Sequence, residues 1–259
     1  MVEEKIALVY SVLDEAGKLI AQKIKEAGVP SWAHFYEVED DIIFASLSKV
    51  KENKVVFLSR HQSEAGTKSL TVHMLGNFSE AKYGGKSRDF CHALARVGAN
   101  YLRGLDRRTK EFELDKKGFS VCYEVTHHGP HTNKECLFIE IGSSLTDWKN
   151  PLAAEVVART VVEDTLKENN DTIVIGLGGG HYAPDFTKLV LRQPYAFGHI
   201  CPKHHLSELS LDMVGAMIRK SKASEIILDW KGLKENKEKV VKLCETMKLP
   251  TQRVQTLLK

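Results

Sequence analysis

Phe119-Ser120-Val121-Cys122-Tyr123-Glu124-Val125, then Thr126-His127-His128-Gly129-Pro130-His131-Thr132, then Cys136-Leu137-Phe138-Ile139-Glu140-Ile141 form one continuous passage that settles the architecture. Two β-rich runs flank a polar bend, and Gly129-Pro130 is a turn signal, so the imidazoles sit on a loop held between strands. A scaffold of this kind fixes what its loops present. Histidine changes charge near neutral pH and binds metals as the neutral ring, which suits it to activating a water or polarising a carbonyl. Glu140 shares a strand face with Phe138. A carboxylate there is either buried beside a partner, which the histidine loop just upstream can supply, or is the wet position of an edge strand.

Working outward, apolar runs at 6–10, 34–38, 42–47, 55–58, 70–73, 172–177, 196–200 and 225–228 read as further strands. Helical patterns occupy 14–27, 88 to about 107, 151 to about 169, 210–221 and 234–248. In the second of these, Phe90, Leu94, Val97, Tyr101 and Leu105 recur at helical spacing behind a capping Ser87. This alternation predicts an α/β fold with a mixed or mostly parallel sheet flanked by helices. The 259 residues make one compact α/β unit, 1–259, or two lobes of about 1–117 and 118–259.

Apolar content of 42% and charged content of 27% are those of an ordinary globular chain. No apolar run approaches the ~20 residues of a membrane helix, and the charged start, Met1 to Lys5, does not read as a signal peptide. Five scattered cysteines without a C-x-x-C pair point to a reducing compartment, hence the cytoplasm. The net charge is only +3, yet 82–117 and 203–259 each carry +5. Such stretches read either as solvated helix faces or as surfaces for phosphates.

Four segments bring histidine to a strand end: His61 with Glu64, His73, the 127–131 cluster, and His181 after Gly178-Gly179-Gly180. In open α/β sheets, ligands bind where such loops converge. His61-x-x-Glu64 has the spacing of a zinc-binding pair, though that pattern is common by chance. The triple glycine lets backbone N–H groups approach an oxyanion. A dinucleotide fingerprint through Gly178, Gly180 and Ala183 is discounted, because Pro184 crowds the helix start and no acidic residue follows at the expected spacing. There is no G-x-S-x-G elbow and no activated cysteine, which favours a water activated by histidine, carboxylate or metal. His199, Cys201, His204 and His205 form a further polar group with metal-binding residue types.

Together these segments resemble the archaeal and plant type of D-aminoacyl-tRNA deacylase. The matching stretches run from Ser59-Arg60-His61 through Leu70-Thr71-Val72-His73 and Thr126 to Thr132. They continue through Glu140-Ile141-Gly142-Ser143-Ser144, Trp148 and Ala153-Ala154 to Gly178-Gly179-Gly180-His181-Tyr182-Ala183-Pro184. Asp185 departs from the pattern, the family being often basic there. The resemblance implies hydrolysis of the ester between a D-amino acid and the terminal ribose of tRNA. It also implies zinc as cofactor, the aminoacylated acceptor end of tRNA as partner, no membrane, a cytoplasmic monomer, and a phosphorylase/peptidyl-tRNA-hydrolase-like core.

From the chemistry of the residues, the catalytic candidates are His61, Glu64, His73, His128, Glu140 and His181. Gly178, Gly179, Gly180 and Tyr182 are the candidates for holding substrate. His127, His128, His131 and His181 are the candidates for holding metal. Two other classes remain open: a zinc-dependent amidase or carboxypeptidase-like hydrolase of small substrates, and a non-catalytic tRNA-binding module. A nucleoside phosphorylase is more remote, motivated only by the anion-friendly glycine loop.

Overall fold

The computed structural model describes residues 4–63 and 66–259. In chain order its elements are β1 (Ile6–Ser11), α1 (Glu15–Ala27), β2 (Ala33–Val38), β3 (Lys54–Gln62), β4 (Ser69–His73), β5 (His92–Ala93), α2 (Ala95–Glu111), β6 (Ser120–Tyr123) and β7 (Glu135–Ser143). There follow α3 (Leu145–Trp148), α4 (Pro151–Asp164), β8 (Thr172–Leu177), α5 (Pro184–Arg192), β9 (Tyr195–Cys201), α6 (Leu211–Ser221), β10 (Glu225–Leu228), α7 (Lys237–Met247), β11 (Thr251–Arg253) and α8 (Val254–Leu257).

Among the described residues the strands form two sheets. The first runs β2-β1-β3-β7-β4-β6, with the short β5 also pairing with β7; the second runs β11-β10-β8-β9. The second is parallel throughout. The first is mixed: β1, β2, β3, β5 and β7 are parallel, whereas β4 and β6 run against β7. The chain is therefore a mixed, mostly parallel α/β protein, as its alternation of runs predicts. Interior strand β1 and the Val55–Leu58 run of β3 are apolar and buried, the signature of a sheet covered on both faces.

Local chemistry explains where the helices begin. Asp14 caps α1 by accepting the Gly17 N–H at 2.9 Å, and Gly28 ends it with φ 99°. Asn150 caps α4 through the Leu152 and Ala153 N–H groups, with Pro151 in the first turn. Helix α2 packs on α4 and on β9, and so ties the two sheets together.

Four expectations need correction. The apolar run 42–47 is not a strand; Ile42–Phe44 forms a 3-10 turn that buries Ile42 and leaves Phe44 exposed. The helix expected from Arg88 starts at Ala95, because Phe90 and Cys91 are drawn into pairing with Gly76 and Leu75 and are buried there. Pro184 does not obstruct a helix but opens α5 from its first turn. A lobe boundary at 117/118 would cut the first sheet, since β6 and β7 continue it; the strands change sheet between Ser143 and Thr172. No helix among the described residues is long and apolar enough to cross a membrane.

Candidate active site

Register places the site. Strand β3 pairs with β7 so that Ser59 lies beside Glu140 and His61 beside Gly142. Antiparallel β4 sets Thr71 beside Glu140 and His73 beside Phe138. Side chains alternate along a strand, so Phe57, Ser59, His61, Phe138, Glu140, Thr71 and His73 share one sheet face. Strand β6 pairs Val72 with Tyr123, and the Glu124 N–H continues the ladder to the Val72 carbonyl at 3.0 Å. That step carries Glu124 onto the same face beside His73.

The chain then leaves the first sheet and is sewn to the second. The Val125 N–H donates to the His181 carbonyl at 2.9 Å, and the Thr126 N–H to the Ile200 carbonyl at 3.0 Å. Two backbone bonds therefore bring the loop after β8 against the histidine loop after β6. This is how residues more than fifty positions apart meet.

Glu124 is the centre of the result. Its side chain is buried, with Oε1 3.0 Å from His61 Nδ1 and Oε2 3.1 Å from His181 Nε2 and 3.5 Å from His127 Nε2. The ring nitrogens stand at these distances without aiming along a hydrogen-bond line, so both carboxylate oxygens are buried without a hydrogen-bond partner. Burial alone would raise the Glu124 pKa; the imidazoles of His181, then His61 and His73, reverse it and hold the group well below the usual carboxylate range. On the far side of Glu124, His73 Nε2 lies 3.4 Å from Glu140 Oε2, and His61 Nδ1 lies 3.8 Å from the same oxygen. Tyr182 presents its hydroxyl to His61 Nε2 at 3.1 Å.

The adjacent His127 and His128 act on one side because His128 adopts the left-handed conformation, φ 39°, which few non-glycine residues do. Their ring centroids are 4.3 Å apart. His127 Nδ1–H donates to the Val125 carbonyl at 2.8 Å, His128 Nδ1–H to the Gly129 carbonyl at 2.7 Å, and His73 Nδ1–H to the Met74 carbonyl at 3.2 Å. Each bond leaves Nε2 facing the cluster. Burial, followed by the neighbouring imidazoles, holds His127 and His128 well below the ordinary histidine pKa, so both are neutral.

The cluster forms one wall of a cleft of about 700 Å³, which His61, His127, His128, Glu140 and His181 line. His204 and His205 line the same cleft. His199 does not: it is wholly buried between Thr126 and the Cys91 carbonyl.

Of the residues singled out in the sequence, His61, His73, His127, His128, Glu140, His181 and Tyr182 come together. His131 does not; its Nε2 faces Asp89 Oδ2 at 3.1 Å, outside the cluster. Glu64 lies outside the described residues. The Gly178 N–H is committed to the Cys201 carbonyl at 2.9 Å and has no hydrogen left for an oxyanion. Asp185 accepts from Gln255 at 3.2 Å. The sequence reading missed Glu124, although its signal is the one that exposes Glu140, an acidic residue inside an apolar run.

In the basic stretch 82–117 the buried Arg108 and half-buried Arg103 are spent on internal ion pairs, while the other basic side chains are exposed. Arg103 pairs with Asp171 at 2.6 Å, Arg108 with Asp164 at 2.5 Å and with Glu163, and Lys110 with Asp106 at 2.7 Å. The 203–259 stretch likewise keeps most of its lysines exposed.

Fold and cluster define a mixed α/β protein whose cleft is built round a carboxylate among imidazoles. Residues 48–252 match the family model described as D-aminoacyl-tRNA deacylase. A D-aminoacyl-tRNA deacylase of Methanocaldococcus jannaschii is 34% identical over 96% of this chain and 100% of its own length. Another, of Pyrococcus furiosus, is 42% identical over 71% of this chain and 67% of its own. A crystal structure of a conserved protein of unknown function superposes with a TM-score of 0.91 and 28% identity, covering 100% of this chain and 98% of that one. The chain belongs to the D-aminoacyl-tRNA deacylase family.

Proposed function

We propose that this protein hydrolyses the ester joining a D-amino acid to the terminal ribose of tRNA, releasing the free D-amino acid and tRNA. The observation that carries the reading is the buried Glu124 carboxylate, with imidazoles at 3.0 and 3.1 Å on the wall of an open cleft. Ester hydrolysis needs an attacking water, help for the carbonyl oxygen and a proton for the leaving ribose hydroxyl. Glu124, 3.1 Å from His181 Nε2, stabilises positive charge built on that ring. His181, 41% exposed at the side chain, is the imidazole of the set best placed to meet substrate. It takes a proton from water and returns it to the ribose oxygen. His61, fixed between Glu124 and the Tyr182 hydroxyl, supports the same carboxylate. The neutral His127 and His128 add acceptors, and a histidine general base typically contributes ~10²–10⁴-fold.

The residues present fit zinc. Glu124 has two buried oxygens without a hydrogen-bond partner, and His73 Nε2 is a third such atom. His61, Glu124 and His181 each offer a donor atom within 4.8 Å of the others, as do His73, His127 and His128. The Nδ1–H groups of the second set are already tied to backbone carbonyls, the outer support expected of metal-binding histidine. Bound there, Zn²⁺ supplies polarisation of the ester carbonyl and a lowered pKa for a water.

The exposed basic side chains of 82–117 and 203–259 hold the acceptor end of tRNA by its phosphates. The protein works as a cytoplasmic monomer; all five cysteines are free thiols, in keeping with a reducing compartment. The test is release of free D-amino acid from D-aminoacyl-tRNA, beside the L-form, with and without a chelator. No D-selective release removes the reading, and chelator-insensitive release removes the zinc.

A further inference from the structure

Among the described residues, the aromatic side chains left exposed are Tyr83, at 69%, and Phe44, at 59%. Tyr83 lines the cleft, and Phe44, on the adjoining 42–44 turn, borders Gly84, the residue after Tyr83. The loop that carries Tyr83 is fixed. The Gly129 N–H donates to the Tyr83 carbonyl at 3.0 Å, and Asn77 Nδ2 to the Gly84 carbonyl at 3.0 Å. Gly84, at φ +74°, lies so close to the Ile43 carbonyl that a Cβ would be 1.9 Å from that oxygen. The ledge is thus pressed onto the 42–44 turn and tied to the residue after His128.

Two exposed rings on a fixed loop and the turn it packs against, open to solvent and adjoining a hydrolytic cleft, can stack on a flat partner. Single-stranded RNA is recognised in this way, by unstacked bases laid on aromatic side chains. We infer that Tyr83 and Phe44 form a stacking platform for the unpaired base at the 3′ end of the substrate tRNA. The base rests on the ledge, and the ribose that bears the ester is thereby directed inward toward Glu124 and His181. The cleft, at about 700 Å³, lies within the ~300–1,000 Å³ range of small-ligand pockets and has room for an aminoacyl nucleoside. Lys82, exposed and lining the same cleft, suits the phosphate that precedes it. This inference rests on the deacylase reading.

The test is titration of the full-length protein with the trinucleotide CCA and with its analogue lacking the third base, using wild type, the Tyr83→Ala/Phe44→Ala double variant and Tyr83→Trp. Both replaced side chains are exposed, so the double variant keeps the fold. Stacking predicts that the double variant binds CCA roughly 5- to 100-fold more weakly. It also predicts that the variant no longer distinguishes CCA from the abasic analogue and that Tyr83→Trp binds like wild type. With D-aminoacyl-tRNA the loss falls in KM. Equal binding of CCA by wild type and the double variant overturns the platform, as does undiminished preference for CCA over the abasic analogue. Neither result touches deacylation, which fails separately if wild type releases no D-amino acid.

Discussion

Glu140 on β7 and His73 on β4 meet diagonally across an antiparallel pair, carboxylate Oε2 to imidazole Nε2 at 3.4 Å, both buried. His73 Nδ1–H is already given to the Met74 carbonyl. A neutral ring would therefore turn a lone pair toward the carboxylate, unless in the metal-free protein the two groups hold one further proton between them. Both shift in the direction that keeps it. Burial drives the Glu140 pKa up against the pull of His73; burial also opposes charge on His73, but Glu140 and then Glu124 outweigh it and raise the pKa.

Glu140→Gln tests this proton. The amide keeps the shape and can donate to His73 Nε2, so the fold should be retained. With the carboxylate gone, burial gains the upper hand and the His73 pKa should fall. Histidine-resolved NMR titration reads it directly; a His73 titration that does not move on substitution would refute the shared proton.

Glu124→Gln should remove most of the activity while preserving the fold, because the side chain keeps its size. The expected loss in kcat is ~10²–10⁴-fold, that of an acid–base group. The chain should also bind zinc more weakly by equilibrium dialysis, since one of its shared donors is now neutral. Near-normal turnover in a folded Glu124→Gln protein would move the chemistry elsewhere in the cleft.

The strands bearing His61, His73 and Glu140 are legible because each is a short apolar run, and the shared face of Glu140 and Phe138 follows from a period of two. What brings them together is not local. Antiparallel β4 beside β7 sets His73 against Glu140 through pairing of residues some seventy apart. The turn at 42–44 also defeats a local reading, since its apolar residues serve a buried contact at Ile42 and an exposed ring at Phe44. Positive charge in α2 is legible, but the carboxylate partners of Arg103 and Arg108, at Asp171 and on α4, are not, so two cations of a stretch that reads as a phosphate surface prove to belong to an internal ion-pair network. Glu124 needed no new signal, only the logic already applied to Glu140.

Arg108 checks that network. It is 2% exposed, with Nη1 2.5 Å from Asp164 Oδ2 and 3.3 Å from Thr160 Oγ1. Arg108→Met leaves Asp164 buried with the more distant Arg107, and should cost ~3–5 kcal/mol in urea denaturation. Arg108→Met with Asp164→Leu should recover most of that loss, because the orphaned charge goes too. Neither change should alter the salt dependence of tRNA binding. A steep loss of that dependence in Arg108→Met would return the side chain to the substrate surface.

His199 gives the clearest pH dependence. It is wholly buried between the sheets, and Nε2–H donates to the Cys91 carbonyl at 3.0 Å. Nδ1, 3.2 Å from Thr126 Oγ1, accepts the threonine hydroxyl, whose oxygen is taken by the Ile200 N–H at 3.0 Å. Both ring nitrogens are thus satisfied only in the neutral form, and burial lowers the pKa from 6.5 to about 3. The folded pKa lies below the unfolded one, so His199 contributes stability that is complete above about pH 6.5 and is lost as pH falls toward 3. Each unit in that window costs ~1.36 kcal/mol for one proton. Wild type should be more stable than His199→Gln at pH 7.5, and the gap should narrow by about 2 kcal/mol by pH 5. Urea denaturation of both proteins across that range measures the difference and cancels the other titrating groups. A gap that stays constant would mean that His199 takes up its proton in the folded protein as readily as in the unfolded chain.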